Sequence, residues 1–549
     1  VQYRVTPTDD TDKKVTNRGG RARARLALIR AGAYSLPASA LTALADDPDV
    51  TYISADRSVR GSMDYTRLAT NANAALTTYK LDGRGIGVAI IDSGITANPD
   101  FIDSRGKSRV LYSQDFTGSI TKRVNALSSI TSPPESDRFG HGTHVAGVVG
   151  ASGKNSTGGM YTRSFAGIAP AVNLINLKVL NDDGVGSDST VITGIQKAVE
   201  LKTKYNIRVI NLSLGRGVFE SYKLDPLCQA VEAAWKAGIV VVVAAGNHGR
   251  NNNGGISGYG TITAPGNDPY ALTVGAMRTM GTASRTDDQI ASYSSKGPTL
   301  YDHVVKPDLV APGNRVVSTQ STVFTTDYYT LGALSLQYPE TSVDIGYYEA
   351  GITFAQPSDF YYRLSGTSMA APAVSAAAAL LVQQNSALTP DQVKARLMKT
   401  AFKALTPSSS TTDPVTGTTY FTSHDLFAVG AGYLDIQAAL GNTDKSTLPA
   451  LSPTVRYDAA TASVRLVTGT SVVWGESIIW GTNVVWGSTV LTSSNVVWGS
   501  NVVWGSTTMS GFSIVWGEGG STTDPASIVW GENTGIVDPM SVLVRGDLN

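Results

Sequence analysis

A chain of 549 residues is too long for one ordinary domain and leaves room for a large core with appendages. Its composition, 42% apolar and 16% charged, excludes wholesale disorder. A formal net charge of +0 gives no reason to expect nucleic acid or an anionic membrane as partner, and no apolar run is long enough to span a bilayer. From the N-terminal side, residues 1 to about 62 read as a small α+β unit. Val1-Gln2-Tyr3-Arg4-Val5 is strand-like. Arg21, Arg23 and Arg25 alternate with Ala22, Ala24 and Leu26, and a period of two predicts a strand. Pro37-Ala38-Ser39 opens a short helix through Leu41 and Leu44. Asp47-Pro48-Asp49 ends it ahead of a further strand over 50–54.

From about 84 to 445 the pattern changes to strands alternating with helices. Apolar, β-branched runs over 87–91, 173–180, 208–212 and 239–244 are separated by helical stretches at 190–204 and 226–237. Such runs predict an α/β fold, a parallel sheet covered by helices on both faces. Cys228, the single cysteine, falls in an apolar helical run and reads as a small core residue, so no intrachain disulfide forms. The Tyr-rich stretch 320–361 has weak periodicity, and a segment of that length either functions or carries structure of its own. In the tail a β-branched pair followed by Trp-Gly recurs at Trp474, Trp480, Trp486, Trp498, Trp504, Trp516 and Trp530. The even period puts the ring positions on one face of an extended strand. A compact β appendage with these rings as its core is expected. A row of exposed rings that grips a substrate or surface is the rival. On the first reading, truncation near residue 465 lowers Tm and spares peptide hydrolysis.

Three segments place a reactive residue at a backbone turn. Asp92 ends a buried strand, in Asp92-Ser93-Gly94. His141 opens His141-Gly142-Thr143-His144-Val145-Ala146-Gly147. Ser368 lies in Gly366-Thr367-Ser368-Met369-Ala370-Ala371-Pro372, ahead of an Ala-rich helix. A serine hydroxyl needs a base, and an imidazole base needs a carboxylate to fix its tautomer. An acid at a strand's end, with His and Ser at helix starts, converges at the carboxyl edge of an open α/β sheet. Asn247, in Ala244-Ala245-Gly246-Asn247, ends another strand and can donate its amide to an oxyanion alongside the Ser368 N–H. Taken singly, Asp92 reads better as a helix cap, His141 as a core histidine and Ser368 as an N-cap than as catalytic groups.

Together, and in this order, the four motifs resemble the subtilisin-like serine proteases over about residues 80–445. The resemblance implies peptide-bond hydrolysis through an acyl-enzyme, with Asp92, His141 and Ser368 as triad and Asn247 as oxyanion donor. It implies a structural role for His144. It implies that Gly184-Val185-Gly186 and Ser213-Leu214-Gly215 clamp an extended peptide, with Thr263 narrowing the S1 pocket toward small or medium side chains. Asp188 is expected at S4, favouring a polar or basic residue. Residues 1–62 resemble the family's inhibitory propeptide, a ferredoxin-like α+β unit, with autocleavage at Ser62–Met63. Residues 63–445 form the expected catalytic domain and 446–549 a β-rich extension. Asp100 resembles the carboxylate of the family's Ca²⁺ site, with the loop 153–158 as its partner. A secreted monomer is expected, acting on proteins and peptides, inhibited by its own propeptide, without nucleic acid or a transmembrane segment, its export signal lying upstream.

Two rival enzymes fit less well. A lipase-like hydrolase needs Gly-x-Ser-x-Gly and the order Ser, Asp, His. A serine-carboxyl peptidase carries an acid where Asn247 stands. A non-catalytic binding protein on the same fold would have no use for all four residues.

Overall fold

The computed structural model describes residues 1–26, 30–53, 65–118, 133, 135–252, 256–324, 329–352, 354–413, 416–458, 463–467, 497–498, 502–503 and 539–547. Two compact units meet between residues 60 and 61. Ser62 and Met63, and six of the seven tail tryptophans, lie outside the described residues. Trp498 lies in a short pair of strands, Val497–Trp498 with Val502–Val503.

In the first unit, β1 (Gln2–Tyr3), α1 (Asp9–Thr16), β2 (Arg21–Leu26), β3 (Ala31–Ser35), α2 (Leu41–Ala45) and β4 (Val50–Tyr52) follow one another. The sheet order is β2-β3-β1-β4 and every pairing is antiparallel, which is the ferredoxin-like arrangement. Among the described residues Tyr3, Val15, Ala31, Ala40 and Leu44 are its buried apolar positions. Helix α1 has no counterpart in the sequence reading, because Asp-Asp-Thr-Asp-Lys-Lys-Val-Thr offers a single apolar residue and no period. Polar interactions supply what the pattern lacks. Three aspartates occupy the positive end of the helix dipole. Asp12 accepts from Arg25 Nε at 2.9 Å and from the Tyr34 hydroxyl at 2.8 Å, tying α1 to β2 and β3.

The second unit is built on β5 (Gly87–Asp92), β6 (Val110–Asp115), α3 (His141–Gly150), β7 (Asn173–Lys178), α4 (Asp188–Tyr205), β8 (Ile207–Leu212), α5 (Pro226–Lys236), β9 (Val240–Ala244), β10 (Leu272–Arg278), β11 (Gln289–Ile290) and β12 (Leu309–Pro312). The sheet runs β6-β7-β5-β8-β9-β10, all parallel. Beyond β10, β12 pairs parallel and β11 antiparallel. Val240, Val241, Val242 and Val243 are all buried, as β-branched runs covered on both faces must be. Each contributes about 1.5–3 kcal/mol by leaving water. Helix α4 begins where Ser187 accepts from the Thr190 N–H, and ends at Asn206 in the left-handed region. Among the described residues no helix is long and apolar enough to cross a membrane.

The Tyr-rich stretch carries structure. Strands β13 (Val316–Thr319), β14 (Ser342–Asp344) and β15 (Pro357–Leu364) form a small antiparallel sheet in the order β13-β15-β14. Its tyrosines are core: Tyr348 and Tyr361 pack with Phe165, Val317 and Val343. Strand β15 leads into the long buried helix α6 (Thr367–Gln384), followed by α7 (Pro390–Thr400). Beyond the repeats, α8 (Pro539–Arg545) belongs to the same unit: Val542 is 1% exposed and Asp547 fully buried. Truncation near residue 465 therefore removes a docked part of this unit along with the repeats.

Candidate active site

Asp92 is the last residue of β5 and is fully buried. Its Oδ1 accepts from the Ser93 N–H at 2.7 Å and from His141 Nδ1 at 2.8 Å. With the proton held on Nδ1, the other ring nitrogen is left as the acceptor. Burial pushes the His141 imidazole toward its neutral form. The Asp92 carboxylate, with a smaller contribution from Asp137, outweighs burial and raises its pKa above the ordinary 6.5.

His141 is the first residue of α3, and glycines let the turn close. A Cβ on Gly142 would lie 2.3 Å from the Gly94 carbonyl, so no larger residue fits between the two turns. The helix start is satisfied by a carboxylate that the sequence reading did not single out. Buried Asp137 accepts from the Gly140 and Thr143 N–H groups, each at 2.7 Å, and from Ser93 Oγ at 2.8 Å. It thus caps the orphan donors of α3 and fastens that helix to the Asp92 turn. The signal was present, an Asp four residues ahead of the helix's first His. His144 is structural, as expected: its Nε2 donates to the Val316 carbonyl at 2.9 Å, and burial drops its pKa to about 3.

Ser368 is the second residue of α6, which packs against α3. Pro372 lacks an N–H, so the Ser368 carbonyl has no partner four residues on in the helix. It accepts instead from Ser213 Oγ at 2.7 Å, and Ser368 Oγ donates back to the Ser213 carbonyl at 3.1 Å. The Ser368 turn is thereby fastened to the segment after β8. Among the described residues Ser368 makes no hydrogen bond to His141. Such bonds are often loose in unliganded sites and tighten with substrate.

Asn247 stands three residues after β9. Its Oδ1 accepts from the Thr367 N–H at 2.9 Å and from Thr367 Oγ1 at 3.1 Å. This fixes the amide orientation and leaves its NH₂ without a partner among the described residues. Gly366 has a φ of +144°, and a Cβ there would sit 3.1 Å from Asn247 Nδ2 and 3.6 Å from the Ser368 N. Two N–H donors thus flank one small empty volume that any residue but glycine would fill.

Of the expected substrate edges, 213–215 adjoins the Ser368 turn through the Ser213 hydrogen bonds. Arg216 and Ala264 pair by two backbone hydrogen bonds of 2.9 and 2.8 Å, joining the ends of 213–215 and 263–264. A Cβ on Gly215 would meet Thr263 Oγ1 at 2.6 Å, so Thr263 forms a wall against that strand. Leu214 is half-buried. Gly184-Val185-Gly186 belongs to a loop closed on Asn181, with Val185 exposed. Gly184 is held small by the Phe139 ring, 2.5 Å from a Cβ, and Gly186 by the Val179 carbonyl at 2.6 Å. Asp188 departs from expectation. Arg216 grips both its oxygens, at 2.9 and 2.8 Å, and also bonds buried Asp225 at 2.9 Å. A carboxylate already paired with a guanidinium does not select a basic side chain.

The residues around Asp100 do not form a Ca²⁺ cage. Asp100 Oδ2 accepts from the Tyr361 hydroxyl at 2.7 Å and Oδ1 from the Asn155 N–H at 3.1 Å. Burial raises its pKa, while these donors and the nearby Arg109 act in the opposite direction. The Arg109 guanidinium, itself buried, collects three main-chain carbonyls: Val172 at 3.0 Å, and Asp100 and Gly150 at 2.6 Å. Ca²⁺ takes six to eight oxygens. Here a fixed organic cation and hydrogen-bond donors hold the oxygens, and no cluster of three acidic, His or Cys ligands occurs among the described residues.

Residues 83–432 match the subtilase family of peptidases. The chain is 34% identical over 368 residues to serine protease AprX of Bacillus subtilis (strain 168), covering 65% of this chain and 71% of that one. It is 30% identical over 390 residues to subtilisin E of the same organism, covering 70% and 79%. An extracellular serine proteinase of Thermus sp. (strain Rt41A) is 31% identical over 381 residues, covering 68% and 71%.

Proposed function

The chain belongs to the subtilase family and is a subtilisin-like serine endopeptidase, and on that premise we propose that Asp92, His141 and Ser368 are its catalytic triad and Asn247 its oxyanion donor. Ser368 Oγ attacks the scissile carbonyl as the unprotonated ring nitrogen of His141 takes its proton. Asp92 holds the ring and stabilises the imidazolium. Asn247 Nδ2 and the Ser368 N–H receive the oxyanion. Collapse passes the proton to the leaving amine and leaves an acyl-serine, which water then cleaves by the same route. The observation that carries this reading is the pair of donors flanking the small volume beside Gly366, next to the nucleophile.

Around this centre, residues 1–62 act as inhibitory propeptide and folding chaperone, 63–445 as catalytic domain and 446–549 as an extension whose end, 539–547, docks back onto that unit. Autocleavage falls at Ser62–Met63. The substrates are proteins and peptides, bound between 184–186 and 213–215, with Thr263 favouring small or medium P1 residues. The enzyme is secreted, as the Thermus relative's name states for that protein, and works as a monomer. The test is Ser368→Ala in the full chain. It abolishes casein hydrolysis, leaves thermal unfolding intact and leaves the chain uncut, whereas active enzyme shows by mass spectrometry a new N-terminus within a few residues of Met63. Undiminished hydrolysis by the Ser368→Ala enzyme refutes the assignment.

A further inference from the structure

The segment 539–547 reaches both loops that carry the oxyanion donors. Ser365, three residues before Ser368, donates its N–H to the Leu543 carbonyl at 2.8 Å. Arg250, three residues after Asn247, donates to Asp547 Oδ1 at 2.6 Å. Asp547 is fully buried and also accepts from the N–H and Oγ of Ser292, both at 2.7 Å. Its main chain is held too: its N–H donates to Asn314 Oδ1 at 2.8 Å, and Asn314 Nδ2 returns a bond to its carbonyl at 3.0 Å. Asn314 adjoins Gly313, whose carbonyl accepts from the Gly366 N–H at 2.8 Å. The contact at Ser365 is close, since a Cβ on Gly546, at φ +61°, would lie 2.2 Å from Ser365 Oγ.

From this geometry we infer that segment 539–547 is a strut that sets the spacing between Asn247 and the Ser368 turn, with Asp547 as its positioning residue. Asp547 touches no reacting atom. Its carboxylate balances two guanidiniums, Arg250 and, at 3.8 Å, Arg278, each only a few per cent exposed. The rest of the charge on Arg250 is met by Asp413 at 2.5 Å. Among the described residues Asp547 and Asp413 are the carboxylates that bond Arg250, and without Asp547 it keeps Asp413 alone and draws its own loop, with Asn247, away from the Ser365–Gly366 turn. An oxyanion exists only after attack, so a displaced donor weakens the transition state and not substrate binding.

This inference rests on the oxyanion role proposed for Asn247, and the experiment separates the two. Full-length wild type, Asp547→Asn and Asn247→Ala are assayed on a chromogenic peptide and titrated with a peptidyl aldehyde, whose hemiacetal oxygen probes the same donors. Asp547→Asn is expected to lower kcat about tenfold or more, with KM changed less than twofold and aldehyde affinity falling in parallel with kcat. Combined with Asn247→Ala, its effect on kcat is less than multiplicative, because both act through one donor. Should Asp547→Asn fail to fold, Gly546→Ala keeps every charge, pushes the segment off Ser365 and carries the same expectation. A folded variant with a lower Tm but wild-type kcat and aldehyde affinity overturns the strut. A wild-type kcat in Asn247→Ala overturns instead the oxyanion reading beneath it.

Discussion

His141 sits between two opposing influences, and the balance sets the pH range in which it can act as a base. Burial disfavours the imidazolium, the Asp92 carboxylate favours it, and the carboxylate prevails. Protonated His141 cannot take the Ser368 proton, so kcat/KM falls on the acid side through an apparent pKa above 6.5. Asp92→Asn removes the larger raising influence and leaves burial opposed only by the smaller contribution of Asp137. The acid limb then moves to lower pH while kcat drops by about 10⁴. A pH–rate profile of both enzymes checks this, and an unmoved limb contradicts the Asp92–His141 coupling. The residues in this argument were legible in sequence because their neighbours are constrained by short-range backbone geometry: Gly94 and Gly142 where two turns touch, Gly366 where a Cβ would fill the cradle. The pairing of Asp188 was not legible at the same scale. Its partner Arg216 lies 28 positions away, and nothing local announces the pair.

At the scale of elements, the parallel strands were readable because burial on both faces demands unbroken β-branched runs, as in 240–244. The small sheet of β13, β14 and β15 was not, since its rows are irregular and its register shifts between Ser342 and Asp344. Strand β15 nevertheless supplies the hydroxyl that takes the place of a cation. Tyr361 donates to Asp100, and Ser156 Oγ lies 3.0 Å from the same hydroxyl. The loop 153–158 is thus joined to β15 by hydrogen bonds through Asp100 and Ser156. Differential scanning calorimetry is expected to show that Asp100→Asn leaves unchanged whatever difference in Tm the wild type has between excess EDTA and millimolar Ca²⁺. Tyr361→Phe should lower Tm by several degrees, since it leaves a buried carboxylate oxygen short of a donor at a cost of about 1–3 kcal/mol. A Ca²⁺-dependent Tm that disappears in Asp100→Asn would show that the carboxylate does hold the ion.

For the whole molecule, the second unit joins residues far apart in the chain. Asp547 reaches Arg250 across 297 positions and Ser292 across 255, separations at which periodicity and motif carry no information. A single aspartate near the end of a tail of low charge looks like solvated surface, and only the fold reveals it as buried. The Trp-Gly repeats consequently lie in sequence between two segments of one unit, and two experiments on the tail must give different results. Stopping the chain after residue 467 removes α8 and Asp547, so both Tm and kcat fall. Replacing 468–538 by a flexible Gly/Ser linker of equal length keeps that segment tethered at an effective concentration near millimolar. This second enzyme is expected to retain peptide hydrolysis within about threefold of wild type, with any further loss of Tm measuring what the repeats themselves add to stability. Adding a synthetic 539–549 peptide to the shortened chain should restore part of kcat in a saturable way, the same contact supplied in trans. If the linker enzyme is as slow as the shortened chain, the repeats and not the docked segment support the active centre.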